Sequence, residues 1–413
     1  MSSSLKFKDI QDAAKLIEGH VVRTPTLDAL VLSIECGANV CLKLENLQTT
    51  GAFKVRGAFV KLSGLSKLEK KAGVVAVSAG NHAQGVAFHA SAMNIPATIF
   101  MPEGTPFTKV GRTEALGATV ILAGSSLAEA WDAAEKCVAE QNLTFIHPFD
   151  DPDIIAGQGT VALELLSDRP DLDAIVVPVG GGGLIAGCAL AAKALNPDIQ
   201  VYGVQSALYP AMAEVLAGKT PTQDAGATIA EGIAVKRPGV LTREIIKEHV
   251  TDILLVDEIA IESAIQRCLE EMRMVVEGAG AAALAAISTY PDVFKGKKIG
   301  VVISGGNIDS RMLSSVLMRG LVRGGRLVSL RIKLTDTPGL LAKVSGLIGG
   351  CGGNIVEVYH QRMFYDVPIK QADLDVVVET QDRKHVSQIL TALEKAGFPA
   401  RILGARSLDV GED

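Results

Sequence analysis

The stretch Ile175-Val176-Val177-Pro178-Val179-Gly180-Gly181-Gly182-Gly183-Leu184-Ile185-Ala186-Gly187 reads as an apolar strand, a turn of four glycines and the opening of a helix. Glycines let backbone N–H groups converge on an anion, and the positive end of the helix dipole adds to the attraction, so a phosphate is the natural occupant. A dinucleotide fold is the rival reading. It wants an acid at the end of the next strand to hold a ribose, and here Val201-Tyr202-Gly203-Val204 ends in Gln205-Ser206. A tight turn with no ligand is the plain alternative. The glycines and Pro178 also break the longest apolar run, 174–192, so a strand, loop and helix explain it better than a membrane span.

Outward from this turn, short apolar runs alternate with longer amphipathic ones over three-quarters of the 413 residues. Strands are expected at 40–44, 74–78, 97–101, 119–122, 175–179, 201–205, 253–256 and 299–304, with helices such as 127–140 and 259–276 between them. That order is the mark of an α/β fold with mainly parallel sheets, in which ligands bind at the carboxyl ends of strands. Near Leu321-Val322-Arg323-Gly324-Gly325-Arg326 the pattern changes. Strands at 328–334, 354–360, 372–379 and 400–403 and helices at 340–349 and 383–396 then give a βαββαβ order, a ferredoxin-like module of about 80 residues. Its open sheet edge favours pairing with another copy, and a homodimer or homotetramer is expected.

With 48% hydrophobic and 21% charged residues the chain can build large cores, and a net charge of −6 without a basic stripe argues against a nucleic-acid partner. Six scattered cysteines without a CxxC pair read as free thiols in a reducing cytosol. The start, Met1-Ser2-Ser3-Ser4-Leu5-Lys6-Phe7-Lys8, lacks the apolar core of a signal peptide. A cytoplasmic protein with no membrane partner is expected.

Three more segments fall where such a fold places its ligands. In Thr49-Thr50-Gly51-Ala52-Phe53-Lys54-Val55-Arg56-Gly57-Ala58 the Lys54 amine becomes a nucleophile toward aldehydes if partly desolvated. Phe53 can offer a ring face, and Arg56 has the plainer reading of an acid's partner. Ser78-Ala79-Gly80-Asn81-His82 offers N–H groups and a hydroxyl to a carboxylate, and Asn81 can donate to a phenolate-like oxygen. His82 is a candidate acid or base, although a histidine at a helix start is more often a cap or packing residue. In Ser304-Gly305-Gly306-Asn307 the hydroxyl can meet a ring nitrogen.

Together with Glu231-Gly232-Ile233-Ala234-Val235-Lys236 and Glu277-Gly278-Ala279-Gly280, these segments run in register over residues 10–320. There the chain resembles the threonine dehydratase family of pyridoxal-phosphate enzymes, of the tryptophan synthase β type (fold type II). The tail is similar to an ACT domain, through Asp336-Thr337-Pro338-Gly339-Leu340 and Gly353-Asn354-Ile355. The resemblance implies a catalytic domain over 1–322, containing a smaller mobile subdomain at about 50–150, and an ACT-like regulatory domain over 327–406. It implies that Lys54 holds pyridoxal 5'-phosphate as a Schiff base and later removes the substrate Cα proton. Gly180, Gly181, Gly182 and Gly183 would cradle the phosphate, Phe53 flank the ring, Asn81 touch the ring hydroxyl and Ser304 bond the pyridine nitrogen. Ser78, Ala79, Gly80 and His82 would receive the amino-acid substrate. A neutral hydroxyl at the ring nitrogen leaves that nitrogen unprotonated, which discourages transamination and leaves β-elimination competitive. Deamination of L-threonine to 2-oxobutanoate, and of L-serine to pyruvate, is the expected activity.

Serine racemase shares nearly all these segments. Racemisation needs a second acid/base opposite the lysine, and the resembling racemases carry a serine where this chain has Ala79, which moves no proton. A non-catalytic amino-acid sensor is the remaining alternative, motivated by the tail and opposed by the retained Lys54. In the tail, Asp336, Gly339, Leu340 and Asn354 are candidate effector contacts, an ordinary turn and hairpin being the equal alternative. Some relatives bind a divalent ion near the segment matching 228–232. Glu231 is the one candidate ligand there, but a single carboxylate does not make a site, and Lys236 or Arg237 would pair with it equally well. Glu277 would support the ring edge from a helix amino-terminus.

Overall fold

A computed structural model of the protein describes residues 5–222, 226–361 and 370–404. The chain divides into two compact units, Met1–Asp309 and Ser310–Asp413.

The first unit holds two sheets. Six strands order as Thr26–Asp28, Asn39–Leu44, Lys298–Ile303, Ala174–Pro178, Gln200–Ser206 and Asp252–Val256. The first pair is antiparallel and every other pair parallel. Every residue of Ala174–Pro178 is buried, which is what a strand covered by helices on both faces requires of its side chains. The four strands Thr119–Leu122, Ala97–Met101, Val74–Val77 and Thr144–Phe145 form a second, wholly parallel sheet. The strands expected from the sequence all form, with no end moved by more than one residue. The helix expected over 259–276 is shorter, Glu258–Glu270. Arg273, at a φ of 58°, turns the chain out of the helical path, and this turn brings Glu277 to the head of the next helix.

One helix organises the site from below. Pro152–Asp168 begins with a proline and is capped by Asp151, whose side chain accepts the N–H groups of Asp153 and Ile154. Two other helices lie against it through glycine. A Cβ on Gly157 would sit 2.5 Å from the Gly57 Cα, and one on Gly159 would sit 2.8 Å from the Gly187 carbonyl oxygen. Gly57 lies in the helix Lys54–Gly64 and Gly187 in Gly183–Leu195. The lysine and the glycine turn therefore ride on helices seated on a common neighbour.

The second unit is an antiparallel sheet ordered Asn354–Gln361, Gln371–Glu379, Leu327–Thr335 and Ala400–Ile402, with the helices Leu340–Gly350 and Arg383–Lys395. This is the ferredoxin-like order. Val328, Leu330, Ile332 and Leu334 alternate into its core against Leu374, Val376, Val378, Val344, Ile348, Ile389 and Leu393. Among the described residues no helix is long and apolar enough to cross a membrane.

Candidate active site

Four helices of the first unit begin at residues that the sequence singles out. Lys54 opens Lys54–Gly64, Asn81 opens Asn81–Ala92, Gly183 opens Gly183–Leu195, and Glu277 directly precedes Gly278–Thr289. Each follows the carboxyl end of a strand or a loop bonded to one, so amino-terminal helix dipoles gather where the strands end.

The loops at 50–54 and 304–307 are joined through their backbones. Ala52 and Gly305 form an isolated bridge, the Phe53 N–H donates to the Ser304 carbonyl at 3.2 Å, and the Gly306 N–H to that of Gly51 at 2.8 Å. From this junction a side-chain relay runs to the fourth helix. Asn307 Nδ2 donates to the Thr50 carbonyl and to Asn81 Oδ1, both at 2.7 Å, and Asn81 Nδ2 donates to Glu277 Oε1 at 2.6 Å. Because a backbone carbonyl accepts only from a donor, Thr50 fixes which way Asn307 points, and Asn307 fixes Asn81. Asn81 keeps its second N–H for another partner. Burial pushes the Glu277 carboxyl up to about 7, with the Asn81 bond and the Lys109 charge opposing and the Glu231 charge adding to the rise.

The Lys54 amine donates to the Pro148 carbonyl at 2.7 Å and lies 5.2 Å from the Phe53 ring centre. Burial pushes this amine down to about 8, partly opposed by the Glu277 charge. Its neutral, nucleophilic form is therefore within reach near neutral pH. Two residues on, Arg56 is fully buried and pairs with Glu45 and Glu164, and Lys43 joins at 2.6 Å through Glu164. This buried cluster ties the lysine's helix to the strand Asn39–Leu44 and to Pro152–Asp168.

The glycine turn is built to expose its backbone. A Cβ on Gly181 would run into the Phe149 ring, and one on Gly183 would lie 2.9 Å from the Phe149 carbonyl oxygen. Gly182 sits at a φ of 101°, in the left-handed region where a side chain is strained. The helix that follows has no side-chain cap, and its first N–H groups lack intrahelical acceptors. An anion is their natural partner.

Ser78 turns its hydroxyl to the N–H of Gly80 at 3.1 Å. A Cβ on Gly80 would touch nothing within 4 Å, so the space beside this residue is open. Ala79 is half-buried against the small-sheet core. The His82 ring is buried, donates to the Ile146 carbonyl at 2.9 Å and is pushed down to about 3 by burial. It is a neutral packing histidine in this arrangement. Ser304 is buried with one long bond, 3.4 Å, to the Ala279 carbonyl. Glu231 pairs with Lys109 at 2.6 Å, where the sequence suggests Lys236 or Arg237. Among the described residues no three acidic, histidine or cysteine side chains cluster as metal ligands. In the second unit Gly339 takes a φ of 89° at the head of its helix, the Asp336 N–H donates to the Lys370 carbonyl and Asn354 bonds Glu379 at 3.1 Å.

Sequence reasoning missed Pro148, Phe149 and the acids around Arg56, and it gave Asn307 no role. Asn307 could have been found, since it closes a motif already singled out. The others act through contacts between separate elements, from 11 residues apart for Glu45 and Arg56 to 108 for Arg56 and Glu164, which no local pattern reports.

Residues 17–305 match the family described as pyridoxal-phosphate dependent enzyme. The chain belongs to this family. Residues 328–398 match the ACT domain. Over 401 residues, 97% of this chain and 100% of the relative, the sequence is 45% identical to the L-threonine ammonia-lyase of Thermotoga maritima. Solved structures are similar as well. Threonine deaminase isoform 2 of Solanum lycopersicum, in its processed form, shares 35% identity at a TM-score of 0.73, over 77% of this chain and 94% of that one. Serine racemase of Dictyostelium discoideum shares 36% at 0.70, over 74% and 100%.

This pyridoxal-phosphate enzyme has a donor set that fits its cofactor. An enclosed lysine suits the aldehyde, an uncapped glycine turn that side chains could not occupy suits the phosphate, a fixed amide donor suits a ring oxygen, and a buried hydroxyl with one weak bond suits a ring nitrogen.

Proposed function

We propose that the chain is a threonine ammonia-lyase that converts L-threonine to 2-oxobutanoate and ammonia, and L-serine to pyruvate. The observation that carries the reading is 45% identity over 97% of the chain to a relative of that name, and the bonds that link the loops bearing Lys54, Asn81 and Ser304 support it.

Pyridoxal phosphate, when bound, supplies a ring that accepts negative charge developing at the substrate Cα. Gly180–Gly183 would hold its phosphate by backbone N–H groups, Asn81 its ring oxygen, and Ser304 its ring nitrogen through a neutral hydroxyl. Phe53 would flank the ring. The protein's part is then proton traffic and exclusion of water. The Lys54 amine removes the proton from Cα, and the Cβ hydroxyl leaves with a proton as water. The open loop at Ser78–Gly80 is suited to the substrate carboxylate, which it can meet with N–H groups. The enamine released into solution takes up water and gives up ammonia.

The racemase reading draws on the similar serine racemase fold. It requires a proton carrier opposite Lys54, and the loop that would supply one has Ala79. His82 does not substitute, because its ring is engaged with Ile146 and stays neutral.

The ACT domain makes an amino acid the natural effector, with Asp336, Gly339, Leu340 and Asn354 as its contacts. The edge strand Asn354–Gln361 exposes Val356 and Tyr359, each at 54%, which favours pairing into a homodimer or homotetramer. A cytoplasmic setting suits the free thiols. Assay of the purified protein with L-threonine, L-serine and D-serine, each with and without isoleucine or valine, tests the reading. Equal formation of 2-oxobutanoate and ammonia from L-threonine is expected, with rates altered by an effector. A main product of D-amino acid, or no 2-oxo acid, overturns it.

A further inference from the structure

Residues 147–150 carry no evident chemistry in a linear reading, yet they touch both halves of the site. The Pro148 carbonyl accepts the Lys54 amine at 2.7 Å. The next residue, Phe149, packs its ring where a Cβ on Gly181 would be and its backbone beneath Gly183. The bend itself is held by His147, whose Nδ1 accepts the N–H groups of Phe149 at 3.2 Å and Asp150 at 2.7 Å. Burial pushes this ring down to about 4, so it stays neutral and keeps Nδ1 free to accept.

Asp150 then reaches a distant helix. Its two carboxylate oxygens accept the N–H groups of Val240 at 2.8 Å and Thr242 at 3.1 Å, the first turn of Val240–His249. That helix has a glycine, Gly239, at its cap position, and a Cβ there would collide with Asp150. The cap is thus supplied by a side chain 90 residues earlier. An acid at this end of a helix is favoured by both the orphan N–H groups and the dipole. The circuit closes on the glycine turn. The Thr242 hydroxyl, fully buried, donates to the Gly181 carbonyl at 2.7 Å, and the Gly239 N–H donates to the same oxygen at 3.2 Å.

The geometry points to Asp150 and Thr242 as positioning residues that hold the glycine turn at a fixed separation from Lys54, and so set the grip on the cofactor's phosphate. This rests on the reading of Gly180–Gly183 as the phosphate cradle. A peptide whose carbonyl is held by a buried hydroxyl cannot rotate without losing that bond, and rotation of the Gly181–Gly182 peptide would turn its N–H away from the anion. Asp150 fixes the hydroxyl's own helix. Neither residue needs to touch the cofactor.

The test compares Thr242→Val, Thr242→Ser and Asp150→Ala in the full-length protein, stripped of cofactor and titrated with pyridoxal phosphate or with phosphate-free pyridoxal, followed by visible absorbance. Thr242→Val keeps the shape and loses the donor. It is expected to weaken pyridoxal phosphate binding about tenfold, the order of one lost outer hydrogen bond, with pyridoxal binding unchanged. Thr242→Ser keeps the donor and should bind as wild type, and Asp150→Ala should follow Thr242→Val. Should Asp150→Ala not fold, the threonine pair alone decides. Equal weakening toward both ligands, or no weakening toward either, overturns the inference, since a general packing defect would not separate them. A wild-type protein that binds the two ligands equally overturns the cradle reading beneath it.

Discussion

Ala79 brings no proton-carrying group to its loop. It lies in the loop Ser78–Gly80, half-buried against the core of the smaller sheet, and its methyl group can neither give nor take a proton. Ala79→Ser would place a hydroxyl there. The expected result is a several-fold rise in D-serine formation relative to pyruvate from L-serine, read by chiral chromatography. An unchanged ratio would contradict the role given to this position. Much of this scale was legible in the sequence. Lysine, asparagine, serine and glycine each stand out for a donor, a nucleophile or the lack of a side chain. The arrangement around them was not legible. Asn81 is turned toward Glu277 because Asn307 holds its oxygen, and that depends on a backbone carbonyl at Thr50.

At the scale of elements, glycine contacts between helices set where the lysine and the turn stand. Gly157 and Gly57 meet with no room for a Cβ. Gly157→Ala should push Lys54–Gly64 off Pro152–Asp168 and destabilise the fold by about 1–3 kcal/mol, the range for an overpacked interior. Urea unfolding checks it, and a variant as stable as wild type would show that the helices yield freely. Most strands of the first unit's two sheets were legible because parallel strands are near-continuous apolar runs rich in Val, Ile and Leu. Thr26–Asp28 and Thr144–Phe145 escaped notice because three and two residues are too short to show a pattern. The helix over 259–276 was drawn too long because its apolar spacing continues to Val276, although the chain has already left the helix at Glu271.

For the whole molecule, buried titratable groups link stability to pH. The Glu277 carboxyl, raised to about 7, binds its proton more readily in the folded chain than in the unfolded one, so acidification from pH 7 to 5 stabilises the fold through it. His82 and His89, lowered to about 3 and about 4, remain neutral when folded and take up protons when unfolded. Through them the same acidification costs stability, beginning near the unfolded value of about 6.5. Each of the three contributions is about 2 kcal/mol over this interval. Glu277→Gln removes the one that favours the acid side, so this variant should lose about 2 kcal/mol more than wild type between pH 7 and 5 in urea unfolding. Equal losses would place the Glu277 proton elsewhere.

The central claim is that Lys54 carries the cofactor. Borohydride reduction of the purified protein, followed by proteolysis and mass spectrometry, tests it most directly. A pyridoxyl phosphate mass on the peptide containing Lys54, absent in Lys54→Ala, is the expected result. The mark on another lysine, or on none, would contradict the account.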